Sequence, residues 1–310
     1  MSTACTLAVV GTRGLASELA KKGTSSDITL YNQVHDDHAL TVVEPSGFPE
    51  KFPPLLYALA MADEVYVVFG ELNRELAETI ATVDLFAKPS RILLGSGIGE
   101  SDARRILHGL ELANAPVGPL DVLTLRAEVD QLRAPAREGP VRVPLDHAFP
   151  VKGVGAVALG VVRQGTLKSH DQLELAPTGR TVEVRSIQVH DVDVKEAGSG
   201  QRVGVALRGV DSGEVERGQV LAPAGSLTTG TQLSLTAVRR SPYYKGDLAN
   251  GGQANILVGL QFVPAKVESV RDDRVDITTD RPVAYAHGDF AFVTDLSVPA
   301  GPRIAWRGTL

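Results

Sequence analysis

Short apolar runs alternate with helix-like stretches over the first third of the chain. The runs predict strands at residues 6–10, 28–31, 40–43, 65–69, 92–94 and 117–120. Helices are expected between them at residues 15–22, 54–60, 73–87, 102–110 and 122–132. Because strands that alternate with helices usually form a parallel sheet with helices on both faces, this part predicts a parallel α/β domain.

A change of pattern follows residues 134–140, Ala-Pro-Ala-Arg-Glu-Gly-Pro, which disfavour helix and strand alike and predict a linker. Beyond it the apolar period becomes two. Strands are expected at residues 141–145, 156–162, 181–188, 203–207 and 220–222, and in a second set at 232–238, 257–263, 275–278, 290–296 and 303–307. We therefore predict an α/β domain at 1–138 and two antiparallel β-barrels at 139–227 and 228–310.

Length and composition agree with a multidomain globular protein. The chain has 310 residues, of which 43% are hydrophobic and 22% charged, and this length suggests two or three domains. No window has the roughly 18 uncharged apolar residues of a membrane span, and the N-terminus lacks a secretion-signal pattern. A cytoplasmic protein without a membrane partner is expected. The single cysteine, Cys5, excludes an intrachain disulfide and a cysteine metal cluster.

The excess of acidic over basic residues lies in the N-terminal domain. The net charge is −6, yet lysine plus arginine against aspartate plus glutamate number 12 against 19 in residues 1–138, 10 against 10 in 139–227, and 9 against 8 in 228–310. A polyanion such as nucleic acid could therefore still bind the two barrels, where local basic clusters matter more than the total.

A strand, a glycine loop and a helix open the chain, which is the setting of the phosphate-binding loop G-x-x-x-x-G-K-[ST]. Here the stretch reads Gly11-Thr-Arg13-Gly14-Leu-Ala-Ser17-Glu18. Ser17 stands where the phosphate-binding lysine belongs, and Glu18 replaces the magnesium-binding hydroxyl. A carboxylate there would repel a triphosphate, so the sequence favours a plain strand-to-helix turn over nucleotide binding.

Two further junctions carry altered nucleotide motifs. Glu44-Pro-Ser-Gly47 is a weak echo of the D-x-x-G loop that senses the γ-phosphate. Residues 95–98, Gly-Ser-Gly-Ile, lie where N-K-x-D would read guanine, and Ile98 cannot accept hydrogen bonds from the base. The three alterations together predict a degenerate nucleotide site, no bound cofactor and no enzymatic activity.

The sequences of the two barrels carry a more specific resemblance than the altered nucleotide motifs do. Residues 149–165, FPVKGVGAVALGVVRQG, and residues 184–190, 200–209 and 215–221 resemble the second domain of elongation factor Tu, elongation factor 1-alpha and above all SelB. Residues 244–248, 258–261, 281–285 and 301–304 continue the resemblance into a third domain. Over residues 1–138 it rests on element order alone, and it implies a degenerate GTPase domain. Phe48 stands where the family has its hydrolysis-promoting histidine. An archaeal origin is expected.

The resemblance implies binding of tRNA or another structured RNA, with the ribosome or translation-associated proteins as further partners. The residues that match RNA-contacting regions are Arg185, Gln188, His190 and Arg208 in the first barrel and Arg239, Arg240, Tyr243, Tyr244 and Lys245 in the second. Arginines and a lysine can meet phosphates while tyrosines stack on bases. For the second-barrel group, the alternative is a solvent-exposed strand end that binds no RNA.

Other interpretations stay open at this point. His35-Asp-Asp-His38 offers four possible metal ligands but fits a hairpin turn better. For the whole chain, the preferred hypothesis is an RNA-binding, SelB-like protein without a GTP switch. The alternatives are an active GTPase in which Arg13 and backbone amides replace the missing groups, and a protein-interaction adaptor that has lost RNA binding.

Overall fold

An α/β domain followed by two β-barrels makes up the part of the chain that the computed structural model describes, residues 3–35 and 38–310. This confirms the predicted fold class. The N-terminal sheet has seven strands in the order β2-β3-β4-β1-β5-β6-β7. Its strands are β1 (Thr3–Val10), β2 (Lys21–Ser25), β3 (Thr29–His35), β4 (His38–Glu44), β5 (Glu64–Phe69), β6 (Ser90–Leu94) and β7 (Val117–Pro119).

The sheet is mixed rather than wholly parallel. Strands β4, β1, β5, β6 and β7 run parallel, whereas β2 and β3 pair antiparallel at one edge. Among the described residues, five α-helices accompany the sheet: α1 (Leu15–Leu19), α2 (Pro53–Met61), α3 (Arg74–Phe86), α4 (Glu100–Leu107) and α5 (Val122–Val129). Asn73 is the N-cap of α3, and its side chain accepts a hydrogen bond from the Leu76 amide at 2.9 Å.

The first barrel closes through six strands. The order β11-β16-β8-β9-β15-β12 returns to β11 by a direct pairing, with β13 added beside β12 and a separate β10–β14 ribbon. The strands are β8 (Val143–Val151), β9 (Gly155–Val161), β10 (Thr166–Lys168), β11 (Gln172–Ala176), β12 (Arg180–Val189), β13 (Val192–Val194), β14 (Glu196–Gly198), β15 (Arg202–Arg208) and β16 (Val220–Ala222). Alternating apolar residues fill its interior.

The second barrel is a closed six-stranded ring in the order β17-β20-β19-β18-β21-β22. Its strands are β17 (Thr228–Arg240), β18 (Gln253–Val258), β19 (Gln261–Val270), β20 (Val275–Tyr285), β21 (Phe290–Thr294) and β22 (Ile304–Thr309). Closure satisfies the backbone hydrogen bonds that an open sheet would leave at its edges.

The N-terminal domain and the second barrel share hydrophobic packing. Phe86 at the end of α3 stacks on Phe292 of β21, with ring centroids 3.8 Å apart. Leu257, Leu260 and Ile304 of the barrel belong to the same buried cluster as the helices α2 and α3. The two domains are therefore held together by a continuous apolar core.

Three local predictions are wrong. The helix expected at residues 15–22 ends at Leu19, and Lys21–Ser25 form the edge strand β2. The single strand expected at 257–263 is instead a hairpin, because Gly259, with φ of +58°, makes a turn between β18 and β19. The helix expected at 102–110 instead spans Glu100–Leu107, and the Asp102 carboxylate within it pairs with Arg105.

Part of the histidine–aspartate segment lies outside the described residues, namely residues 36 and 37. Within residues 3–35 and 38–310, no three histidine, cysteine or acidic side chains converge as metal ligands would. The helices of that same part are all too short or too polar to cross a membrane.

Candidate functional site

The β1–α1 loop (residues 11–14) lies against the end of β4, so two of the altered motifs meet in space. Gly11 is required here because a Cβ would collide with the carbonyl oxygen of Val68, and its φ is +82°. The Gly14 amide donates a hydrogen bond to the Glu44 carboxylate at 2.9 Å. Glu44 is only 6% exposed. A carboxylate therefore occupies a backbone donor that a phosphate loop would present to its ligand.

The polar side chains around this loop contact other protein groups. The Arg13 guanidinium donates to the Phe48 carbonyl at 2.9 Å and reaches the exposed Glu50 carboxylate at 3.2 Å. The Ser17 hydroxyl donates to the carbonyl of Gly14, 2.6 Å away. Glu18 forms an exposed ion pair with Arg126 of α5. The polar side chains of the loop are thus engaged with other groups of the protein.

Gly47 and Ile98, from the other two altered motifs, pack within the N-terminal domain. Gly47 donates its amide to the Asp27 carbonyl at 2.7 Å, and a Cβ there would press on Pro54 at 3.1 Å. Ile98 is partly buried against the core of the N-terminal domain. The hydrogen bond from the Gly14 amide to the Glu44 carboxylate joins the first altered motif directly to the second.

A groove opens between the edge strand β2 and the first barrel, and we call it the barrel groove. It has a volume of about 680 Å³. Its lining includes Lys21, Lys22, Phe149, Val154, Gln188, His190 and Arg202. Both lysines are exposed, and Phe149 keeps 40% of its surface accessible. The groove thus combines positive charge with an exposed aromatic ring.

Arg202 on the groove floor carries a charge network that sequence reasoning missed. Its guanidinium donates to both oxygens of the buried Asp146 carboxylate, at 2.6 and 2.9 Å. His147 contacts the same carboxylate at 2.6 Å. Burial alone would raise the Asp146 pKa, but Arg202 and His147 hold it below its usual range. The signal lay in Asp146-His147 and in the arginine that begins β15, three polar residues within strands of an otherwise apolar barrel.

The same network joins the barrel to the N-terminal domain. Arg217 donates to the Asp146 carbonyl at 2.9 Å and to both oxygens of the Asp27 carboxylate, at 2.9 and 2.7 Å. It also lies over the Tyr57 ring, 4.8 Å from the centroid. His147 reaches the Ser26 hydroxyl at 2.9 Å. These contacts attach the segment after β2 to the first barrel beside the barrel groove.

The structure brings only some of the predicted first-barrel residues to this groove. Gln188 and His190 line it, and Arg185 lies beside it through a hydrogen bond to the Val154 carbonyl. Burial lowers the pKa of His190 and favours a neutral imidazole. Arg208 does not line the groove, and it pairs with Glu183 at 3.1 Å.

The predicted second-barrel cluster separates into two groups. Arg239 pairs with Asp84 and Glu111 of the N-terminal domain, so its charge serves a domain contact. Tyr244 donates its hydroxyl to the Asp295 carboxylate at 2.7 Å and is partly buried. Three members remain exposed, namely Arg240, Tyr243 and Lys245. Of this cluster, those three side chains are accessible from outside the protein.

Comparison with known proteins gives the family. Residues 155–222 match the family model described as elongation factor Tu domain 2. An uncharacterized protein of Methanocaldococcus jannaschii is 35% identical over 278 residues, which are 89% of this chain and 90% of that protein. The selenocysteine-specific elongation factor of the same organism is 32% identical over 183 residues, 57% of this chain. This chain belongs to the elongation factor Tu family as a SelB-like member.

The fold of this SelB-like chain has solved counterparts. Translation elongation factor SelB from Methanococcus maripaludis, in complex with the GTP analogue GPPNHP, superposes with a TM-score of 0.84 over 99% of this chain and 78% of that chain. The identity is 22%, so this likeness shows the shared fold. The match to the selenocysteine-specific factor of M. jannaschii covers 35% of that factor's length.

One expectation from the sequence is overturned by these relatives. The SelB-like chain was expected not to be an enzyme, on the strength of its altered nucleotide motifs. Its relatives include selenocysteine-specific elongation factors and elongation factor 1-alpha, which are translational GTPases. None of the relatives shows that the activity is absent, and the expectation is therefore wrong.

Proposed function

We propose that this SelB-like protein acts in translation, in the cytoplasm, by binding tRNA or another structured RNA along the barrel groove. The observation that carries the proposal is the groove's combination of two exposed lysines with an exposed aromatic ring. Lys21 and Lys22 make no ion pair within the described part of the chain. Ammonium groups can meet phosphates without displacing a protein partner, while Phe149 offers a face for base stacking.

The polar groups of the groove suit the end of a nucleic-acid strand. The Nε2 atom of His190 is buried and has no hydrogen-bond partner among the described residues. The side-chain amide of Gln188 donates a hydrogen bond to the Asp193 carboxylate at 2.9 Å. The exposed Gln188 side chain can hydrogen-bond a sugar or a base edge once the phosphates have been bound, and His190 Nε2 would join it only after a shift that uncovers this atom. We place the aminoacyl end of a tRNA in this groove.

The exposed residues of the second barrel provide a second contact. Arg240 lies over the ring of Trp306, 5.7 Å from its centroid, which leaves its charge available. Tyr243 is 39% exposed, and Lys245 is exposed nearby in sequence. We assign these three residues to the backbone of the same RNA, beyond the part held in the groove.

The test is tRNA binding over a range of salt concentrations. Lys21→Ala with Lys22→Ala should weaken binding and reduce the salt slope by about 1.4–1.8, at roughly 0.7–0.9 for each phosphate that is no longer neutralised. Arg240→Ala with Lys245→Ala should do the same. The matched control, Lys51→Ala with Lys266→Ala, removes two charges that lie outside both surfaces.

Two results would overturn the proposal. One is an equal weakening of tRNA binding in the control and in the groove variant. The other is a wild-type protein that binds a duplex DNA of similar charge as tightly as tRNA, because this is the behaviour of simple polyanion attraction. Failure of wild type to bind tRNA at all would favour a ribosomal or protein partner instead.

A further inference from the structure

A cavity lies where the N-terminal domain, the linker and both barrels meet, and we call it the junction cavity. It has a volume of about 280 Å³. Its lining includes Met61, Arg137, Arg142, Arg163, Leu260 and Asp289. At roughly 30 Å³ per water molecule, this space holds an anion the size of phosphate together with several waters.

The arginines of the junction cavity exceed the carboxylates beside them. Arg137 and Arg163 both donate to the same oxygen of Asp63, each at 3.1 Å. The second oxygen of that carboxylate accepts from the Thr6 amide at 3.0 Å. One buried carboxylate therefore serves two guanidinium groups, and one positive charge is left without a negative partner.

The third arginine does not correct this imbalance. Arg142 donates through both terminal nitrogens to the Asp289 carboxylate, so this pair is complete by itself. Lys88 lies near the other end of the cluster and donates to the carbonyls of Ala60 and Ala62, which are neutral. The pKa of Lys88 is lowered to about 7, chiefly by burial and in addition by the neighbouring Arg163.

A positive charge that is partly withdrawn from water and has no negative partner is unfavourable, which makes a mobile counterion favourable. Arg163 keeps 19% of its side-chain surface accessible and Arg137 keeps 38%. The Nη1 atom of Arg137 is buried and has no hydrogen-bond partner among the described residues. Planar guanidinium groups match the oxygen spacing of phosphate and carboxylate groups.

We propose that the junction cavity is a binding site for a small oxyanion of the phosphate class, held by Arg137 and Arg163 and screened from Asp289 by Arg142. Its ligand contacts residues of the linker and the first barrel, in a space closed by Met61 and Leu260 of the other two domains. Binding there stabilises the arrangement of all three domains. The site is separate from the barrel groove and does not depend on the proposed RNA function.

The test is equilibrium dialysis of the full chain against radiolabelled inorganic phosphate, at constant ionic strength. We expect saturable binding of one phosphate per chain. Arg137→Gln removes a guanidinium, and Arg142→Gln leaves the Asp289 carboxylate unpaired, so each should weaken binding about tenfold or more. Arg281→Gln is the matched control, because Arg281 pairs with the exposed Glu216 and lies outside the cavity.

Competition separates the sources of the oxyanion. Unlabelled glycerol 3-phosphate that displaces the label more strongly than phosphate supports the site and indicates a small organic phosphate as its ligand. Displacement by inorganic phosphate alone supports the site for the free ion. Absence of saturable binding by wild type, or equal affinity in both variants and wild type, overturns the proposal. A circular-dichroism spectrum for each variant shows that the chain compared is folded.

Discussion

Arg303, just before the last strand, holds Glu78 of α3 by two hydrogen bonds of 2.7 Å each. The Arg303 amide donates to the same carboxylate at 3.0 Å, and the guanidinium lies 4.7 Å from the centroid of the Phe52 ring. The exposed fractions of the two side chains are 19% and 5%. A buried pair of this kind fixes the second barrel against the N-terminal domain.

Removal of one partner should be strongly destabilising. Glu78→Gln leaves the Arg303 charge buried without compensation, and we expect the free energy of unfolding to fall by about 3 kcal/mol. Glu50→Gln is the control, because its pair with Arg13 is exposed and its removal should cost less than about 1 kcal/mol. Urea unfolding of the three proteins measures both effects, and equal decreases would contradict the assignment of Glu78.

The two barrels without the N-terminal domain should fold but associate. A fragment of residues 140–310 keeps the interior of each barrel, yet it exposes Leu257, Leu260, Phe292 and Ile304, which α2 and α3 cover in the full chain. Circular dichroism should show strand structure, and light scattering should show dimers or larger species. A fragment that is unfolded would refute the boundary near residue 139, and one that is monomeric would refute the exposed patch.

The carboxylate in the β1–α1 loop should weaken nucleotide binding. Glu44→Gln keeps the shape of the side chain but removes its negative charge next to the Gly14 amide, so we expect GDP to bind about tenfold more tightly. Calorimetric titration with GDP measures the change, and GTP turnover by the same samples measures the activity of the family. Glu50→Gln, at the exposed end of the Arg13 contact, should have a smaller effect. Equal affinities in the two variants would show that Glu44 does not oppose phosphate.

Asp63 should contribute stability that depends on pH. Burial by itself would raise its pKa, but Arg163, the Thr6 amide and Arg137 hold the pKa of this carboxyl below its usual range. Because the folded-state pKa is the lower one, the stabilisation is present above about pH 5 and disappears as the pH falls through the unfolded and then the folded value. Asp63→Asn should therefore cost about 2–3 kcal/mol at pH 7 and progressively less below pH 4.

Urea unfolding of wild type and Asp63→Asn at pH 7, 5, 4 and 3.5 measures this difference. Asp102→Asn is the control, since Asp102 forms an exposed pair with Arg105 and should show little change with pH. A stability difference between wild type and Asp63→Asn that stays constant down to pH 3.5 would contradict the ionised, paired carboxylate.

Apolar runs made most strands of the fold readable from the sequence, and two exceptions show the limits of the pattern. Strand β2, Lys21–Ser25, has no large apolar residue, and backbone pairing with β3 at the sheet edge forms it. At 257–263 the apolar run continues through the hairpin turn at Gly259 and Leu260, because Leu260 packs into the core shared with α2 and α3. Neither feature has a local apolar signal that marks it.

The candidate site was less accessible to sequence reasoning for a different reason. Local composition grouped Arg239 with its exposed neighbours, but its partner Asp84 is 155 residues away in the chain. Lys21 and Lys22 had no assigned role until the fold placed them opposite Gln188 and His190. Long-range pairing decides which basic residues remain available, and that pairing is a property of the tertiary structure.

The stack of Phe86 on Phe292 has a consequence for the order of events during synthesis. Residues are added from the N-terminus, so α3 is complete before either barrel exists. Its apolar face must wait for β21 and for Ile304, which comes six residues before the end of this sequence. The nascent N-terminal domain therefore has an uncovered apolar face while both barrels are being translated. An exposed apolar face at this stage favours misassembly and makes the nascent chain a client for chaperones.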